Sequence, residues 1–156
     1  MVEERATPLV IRLACAEDIQ SIEYLDRFGT SPTRNIHREL EKYFGSVDPS
    51  THERGLIFLG ELEGRAVAKA ELMLPPADGS EGSRTGYIRR VVVLPEYRQR
   101  GLARRLLQYI IDFARQEEQL EALDLHVWEE NRPAIRLYES LGFQLQHREL
   151  YYRLSL

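Results

Sequence analysis

The chain has 156 residues, a length that suits one domain with its own hydrophobic core, since about 100–150 residues is the commonest domain size. Acidic residues outnumber basic ones 25 to 21, giving a net charge of −4, and this excludes the broad basic surface that general nucleic-acid binding requires. No apolar run approaches the roughly 20 residues needed to span a bilayer, Met1-Val2-Glu3-Glu4 is too acidic to open a signal peptide, and Cys15 is the only cysteine. We expect a cytoplasmic protein without a membrane partner, an internal disulfide or a thiolate metal cluster, with Cys15 in a structural role. Basic residues are nearly all arginine, with lysine only at Lys42 and Lys69.

In chain order, Leu9-Val10-Ile11-Arg12-Leu13 reads as a first strand, and Ala16-Glu17-Asp18 opens a helix that carries Ile19, Ile22, Tyr24 and Leu25. Gly29-Thr30-Ser31-Pro32 breaks it. A second helix near residues 33–44 places Ile36, Leu40, Tyr43 and Phe44 on one side, before a loop through Pro49. Residues 56–62 and 66–74, joined by Glu63-Gly64, form an antiparallel hairpin signal. Glu71, on an alternating strand, reads as part of a solvated face. A breaker-rich loop, residues 75–83, leads to a β-branched strand over residues 87–94.

Pro95 ends that strand and an amphipathic helix follows from Gly101 to Glu118, with Leu102, Ala103, Leu106, Leu107, Ile110, Ile111 and Ala114 at helical spacing. A strand over residues 123–128 comes next. Asn131-Arg132-Pro133 supplies a cap and a first-turn proline for a helix lined by Ala134, Leu137, Tyr138 and Leu141, which Gly142 stops. Two closing strands are expected at residues 143–149 and 151–156, and the exposed edge of the last is a place where two copies could pair into a homodimer. Tyr109, Phe113 and Trp128 read as packing residues. The order β-α-α-β-β-β-α-β-α-β-β fills residues 1–156 as a single α/β domain: a mixed, mostly antiparallel sheet flanked by helices.

The junction between residues 91 and 105 looks built for an anion. Gly101 lets backbone approach a ligand where the next helix exposes unpaired N–H groups, and Arg98, Arg100, Arg104 and Arg105 add positive charge. A Walker-type loop would need a Gly-Lys-Ser/Thr ending, and a dinucleotide fingerprint would need three spaced glycines; residues 98–103 have neither. They do match Gln/Arg-x-x-Gly-x-Gly/Ala after a strand ending in Val-x-Pro. With Asn131, Ala134 and Leu137-Tyr138-Glu139-Ser140-Leu141-Gly142-Phe143 downstream, the chain closely resembles the GNAT superfamily of acyl-CoA-dependent N-acyltransferases.

The resemblance implies acetyl-CoA as cosubstrate, no metal, and a primary amine of a small molecule or of a peptide or protein N-terminus as acceptor. It implies that Val91, Val92 and Val93 pair with the pantetheine arm beside a β-bulge, and that Gln99, Arg100, Gly101, Leu102, Ala103 and Arg104 hold the pyrophosphate, with Arg98 alongside. By the same resemblance Asn131 contacts the cofactor arm and Tyr138 stands close to the sulfur as proton donor. Where some members carry an acidic base on a central strand, this sequence has Tyr87 and His126. Imidazoles ordinarily titrate near about 6.5, so His126 is the favoured base, directly or through water, and Glu71 is the alternative. Water alone serves some members. A non-catalytic acyl-CoA-binding module of the same fold is the alternative reading of the whole chain. The segments expected to shape the acceptor site, residues 28–54 and 74–86, carry mixed charge, with Arg34, His37, Arg38, Glu39, Glu41, Asp48 and Glu53.

Overall fold

The computed structural model describes residues 8–29, 36, 40–44, 47–48, 52–76 and 82–156. Within the segments expected to shape the acceptor site, Arg34, His37, Arg38 and Glu39 lie outside the described residues. The chain divides into two compact units, Met1–His126 and Val127–Leu156.

The first unit is a five-stranded sheet with its helices. Strand β1 is Val10–Leu13, and a 3-10 turn at Ala16–Asp18 leads into helix α1, Ile19–Asp26. Helix α2 is Leu40–Phe44, β2 is Arg54–Leu62, β3 is Arg65–Leu74 and β4 is Thr85–Val93; a second 3-10 turn, Pro95–Tyr97, precedes helix α3, Leu102–Gln116, and β5 is Ala122–Asp124. The spatial order follows the sequence, β1-β2-β3-β4-β5; the first three pairings are antiparallel and β4–β5 is parallel, joined by α3 as a crossover. The sheet is mixed and mostly antiparallel.

Strand alternation sends Ile57 and Leu59 into a cluster with Ile22 and Leu25 of α1. Phe58 points the other way and meets Tyr109 and Phe113 of α3 edge-on, with ring centroids 5.9 and 5.1 Å apart. Both faces of the sheet are therefore covered, and β3, the central strand, is buried along most of its length. Leu106, Leu107 and Ile110 of α3 are fully buried, each stabilising the fold by about 1.5–3 kcal/mol relative to exposure.

Burial of both faces overturns the solvated-face expectation for Glu71, whose side chain is fully buried. The strand expected at residues 123–128 is the shorter β5, so His126 lies just beyond it. Of the helix expected near residues 33–44, α2 is the described part.

Arg12 ties β1 to the 3-10 turn. Its guanidinium spans both oxygens of Asp18 at 2.8 and 2.7 Å, and its Nε donates to Glu61 at 2.9 Å. These hydrogen bonds from Arg12 hold the Asp18 carboxyl well below its ordinary pKa of 3.8. A depressed folded-state pKa contributes stability that is present above the unfolded value and lost as pH falls through the folded one. Asp18→Asn should therefore lower stability by about 1 kcal/mol at neutral pH, a small figure because Arg12 is partly solvated. In urea melts the gap between variant and parent should shrink as pH drops below about 4; a gap independent of pH would refute this origin.

The second unit contains helix α4, Arg132–Ser140, which Gly142 closes at φ 101°. Among the described residues, 143–156 form no strand, in contrast to the two closing strands expected there. Alternation supplies faces but not a ladder; within this unit α4 is the only regular element, and a strand needs a neighbour's backbone groups. Trp128, expected as a packing residue, is largely exposed.

Candidate active site

Strand β4 carries an irregularity at the point where its valines begin. Lys69 pairs with Val92 and Glu71 with Arg89, so Ala70 faces both Arg90 and Val91, a β-bulge, and Arg90 takes a left-handed φ of 53°. Pairing resumes at Val92 and Val93, opposite Lys69 and Ala68, and just past the strand the Leu94 N–H donates to the Val67 carbonyl at 2.9 Å. On its other side β4 pairs with β5 through Thr85, Gly86 and Tyr87, and among the described residues that ladder stops there. The edge at Val91 thus offers backbone groups to an extended ligand. Val92 is buried in the core; Val91 and Val93 are half-buried.

Beyond β4 the backbone turns through two left-handed residues, Gln99 at φ 64° and Gly101 at φ 75°. Gly101 is the N-cap of α3 and supplies no side-chain cap. The first-turn N–H groups of Leu102 and Ala103 have no acceptor within the helix, and a Cβ built on Gly101 would meet nothing within 4 Å. This backbone suits a close-approaching anion at the positive end of a 15-residue helix. Two arginines brace the turn: Arg98 Nε donates to the Val93 carbonyl at 3.0 Å, and Arg100 donates to the Glu96 carbonyl at 3.2 Å while lying over the Tyr97 ring. Beyond its bulge, β4 thus leads through this turn to a helix N-terminus that no side chain caps.

The structure brings His126 and Tyr87 together. Nδ1 of His126 and the Tyr87 hydroxyl are 2.5 Å apart, and His126 is exposed. Glu71 is differently placed. Its Oε1 accepts from the Tyr43 hydroxyl at 2.6 Å and its Oε2 from the Lys69 ammonium at 2.6 Å, so both oxygens are engaged. Burial, then the charge of Glu71, pushes the Tyr43 hydroxyl well above the ordinary tyrosine pKa, although Arg89 opposes this by donating to it at 2.6 Å. Sequence reasoning missed Tyr43 and Lys69 as partners of Glu71, and Asp26 as a second partner of Lys69 at 2.8 Å. The available signal was a lysine two residues from a glutamate on one face of a strand that is otherwise apolar from Ala66 to Leu74.

In the second unit, Asn131 Oδ1 accepts from the Ala134 N–H at 3.3 Å, the cap expected from the sequence. Six residues into α4, the half-buried Tyr138 packs edge-on against Phe143 at 6.0 Å between centroids. Burial raises its phenol pKa above 10, which keeps the hydroxyl protonated across neutral pH.

In the first unit β4 is bulged and parts from β5 ahead of a glycine-capped helix, and the sequence shows to which family this arrangement belongs. Residues 16–143 match the acetyltransferase (GNAT) family, and the chain belongs to it. Over 125 residues it is 41% identical to the N-alpha-acetyltransferase RimI of Mycobacterium tuberculosis (strain ATCC 25618 / H37Rv), covering 80% of this chain and 68% of RimI. It is 36% identical over 75 residues to NAA20, the catalytic subunit of the N-terminal acetyltransferase B complex of Arabidopsis thaliana. That match takes in 48% of this chain and 43% of NAA20, so the chain spans less than half the length of this relative. The aminoglycoside N-acetyltransferase AAC(6')-Iy, solved in complex with CoA, shares the fold, with a TM-score of 0.76 at 19% identity over 99% of this chain and 100% of that one. No helix among the described residues is long and apolar enough to cross a membrane.

Proposed function

We propose that the chain, acting as one domain over residues 1–156, transfers an acetyl group from acetyl-CoA to a primary amine, and specifically to the N-terminal α-amine of a peptide or protein. The open edge of β4 beside its bulge, running toward the glycine-capped helix, carries the acyl-CoA part. Similarity to RimI over most of the chain supports the peptide acceptor. We place the reaction in the cytoplasm, and no metal, nucleic acid or membrane enters it; the homodimer expected from a strand edge at residues 151–156 lacks that edge here.

Acetyl-CoA, when bound, supplies a thioester carbonyl as electrophile and a thiolate as leaving group. The backbone N–H groups of the strand at Val91 to Val93 steady the charge that develops on the carbonyl oxygen. The N–H groups of Leu102 and Ala103, with Gln99 and Arg104 beside them, face the phosphates, while Arg98 and Arg100 keep the turn in shape. As the C–N bond forms, His126, coupled to Tyr87, takes the amine proton through water. As the C–S bond breaks, the Tyr138 hydroxyl donates to the sulfur, and Asn131 holds the start of its helix. Glu71 has no part in proton transfer, because both its oxygens are bound to Lys69 and Tyr43.

Thiol release from acetyl-CoA, measured across short peptides, polyamines, free amino acids and aminoglycosides, should be fastest with a peptide. Release with none of them would point to a non-catalytic acyl-CoA-binding module. His126→Ala should lower kcat/KM about tenfold, less than a fully positioned base because water can substitute. Tyr87→Phe should act in the same direction, and the double variant should be no worse than His126→Ala alone. Independent, multiplying losses would break the pair apart.

A further inference from the structure

One buried side chain reaches the bulge. Lys69 is fully buried, and its ammonium has three partners from three elements: Glu71 Oε2 on β3 at 2.6 Å, Asp26 Oδ1 at the end of α1 at 2.8 Å, and the Arg90 carbonyl on β4 at 3.4 Å. Its three donors match these three acceptors. Arg90 is the left-handed residue of the bulge, where the extra residue falls out of the strand ladder.

Packing alone does not call for this arrangement. Taking a charged pair out of water is costly, and a well-packed apolar side chain of similar volume is often as stable or more so. A methionine could fill the same space between β3 and α1. It could not hold a backbone carbonyl in one direction. The ammonium can, because Asp26 and Glu71 fix it from two sides and leave its remaining donor for Arg90.

We propose that Lys69 is a positioning residue for acetyl transfer: clamped by Asp26 and Glu71, it anchors the Arg90 carbonyl and thereby sets the bulge that aims the Val91 to Val93 backbone at the pantetheine arm and thioester. This rests on the acyl-CoA reading above. Lys69 touches no reacting atom; it acts through the strand. Glu71 acquires a role different from that of a base, and Asp26 links the end of α1 to the same point.

The test uses the full chain with Lys69→Met and Glu71→Gln combined, which removes opposite charges together. In two-dimensional amide spectra without ligand, the Val91, Val92 and Val93 signals should move while those of α3 stay. By calorimetry, acetyl-CoA should bind about tenfold more weakly, whereas 3′-phosphoadenosine 5′-diphosphate, the end of CoA without the pantetheine arm, should bind within twofold of the parent. Equal weakening of both ligands would mean a merely structural role, and unmoved valine amides would mean no control of the bulge; either result overturns the proposal. Should the double variant not fold, Asp26→Asn, which keeps an oxygen beside Lys69, should move the same amides with about a threefold loss for acetyl-CoA alone, and unmoved amides there overturn it equally. A parent chain that binds the nucleotide end but not acetyl-CoA would sink the acyl-CoA reading, while the amide spectra would still decide whether Lys69 sets the bulge.

Discussion

Tyr138→Phe is expected to lower kcat about 100-fold, the low end of what a positioned proton donor contributes, with acetyl-CoA affinity within twofold of the parent. The substitution isolates the hydroxyl: a phenyl ring retains the edge-on contact with Phe143 and the half-buried setting on α4. Burial raises the phenol pKa above 10, so the donor remains protonated over any ordinary assay range. The same shift limits what it can do. An alkyl thiol titrates near about 8.5, below the phenol, so complete transfer to a free thiolate is uphill and the hydroxyl acts chiefly by donating a hydrogen bond as negative charge gathers on sulfur. The loss should therefore appear in kcat, not in binding, and should persist between pH 6 and 9. Turnover equal to the parent across that range would remove Tyr138 from the reaction.

How legible the site was depended on whether a role is local or needs a partner across the sheet. The hairpin of β2 and β3, the amphipathic α3, the Asn131 cap and the glycine turn at Gly101 are set by near neighbours in sequence, and they stand where the spacing puts them. Glu71 was misread because alternation on a strand implies a wet face only when one face is open; β3 lies between β2 and β4 with helices on both sides. The coupling of Tyr87 to His126 depends on parallel register between β4 and β5 and on where β5 ends, neither of which any local pattern encodes. Arg98 and Arg100 show the converse limit. Their charge was evident, but their use in bracing the turn depends on the Val93 and Glu96 carbonyls being folded back toward them.

Gly101→Val should weaken acetyl-CoA binding about 100-fold while leaving the chain folded. Two effects act together and can be separated. The first is intrinsic: φ at Gly101 is 75°, a region that a β-branched residue enters only with strain, of the order of 1–3 kcal/mol. Because a Cβ at Gly101 meets nothing within 4 Å beyond its chain neighbours, this strain is the chief cost to the protein alone, and it should appear as a modest drop in melting temperature. The second effect requires the ligand. The open space beside Gly101 is where a pyrophosphate would approach the N–H groups of Leu102 and Ala103, and a branched side chain there holds the phosphates away from the helix end. Gly101→Ala, with a smaller side chain and less strain, should be intermediate in both measurements. In contrast to the Lys69 variants, these substitutions should weaken acetyl-CoA and its nucleotide end by the same factor, because the damage lies at the phosphates. A normal dissociation constant for Gly101→Val by calorimetry would mean that the helix N-terminus does not hold the cofactor.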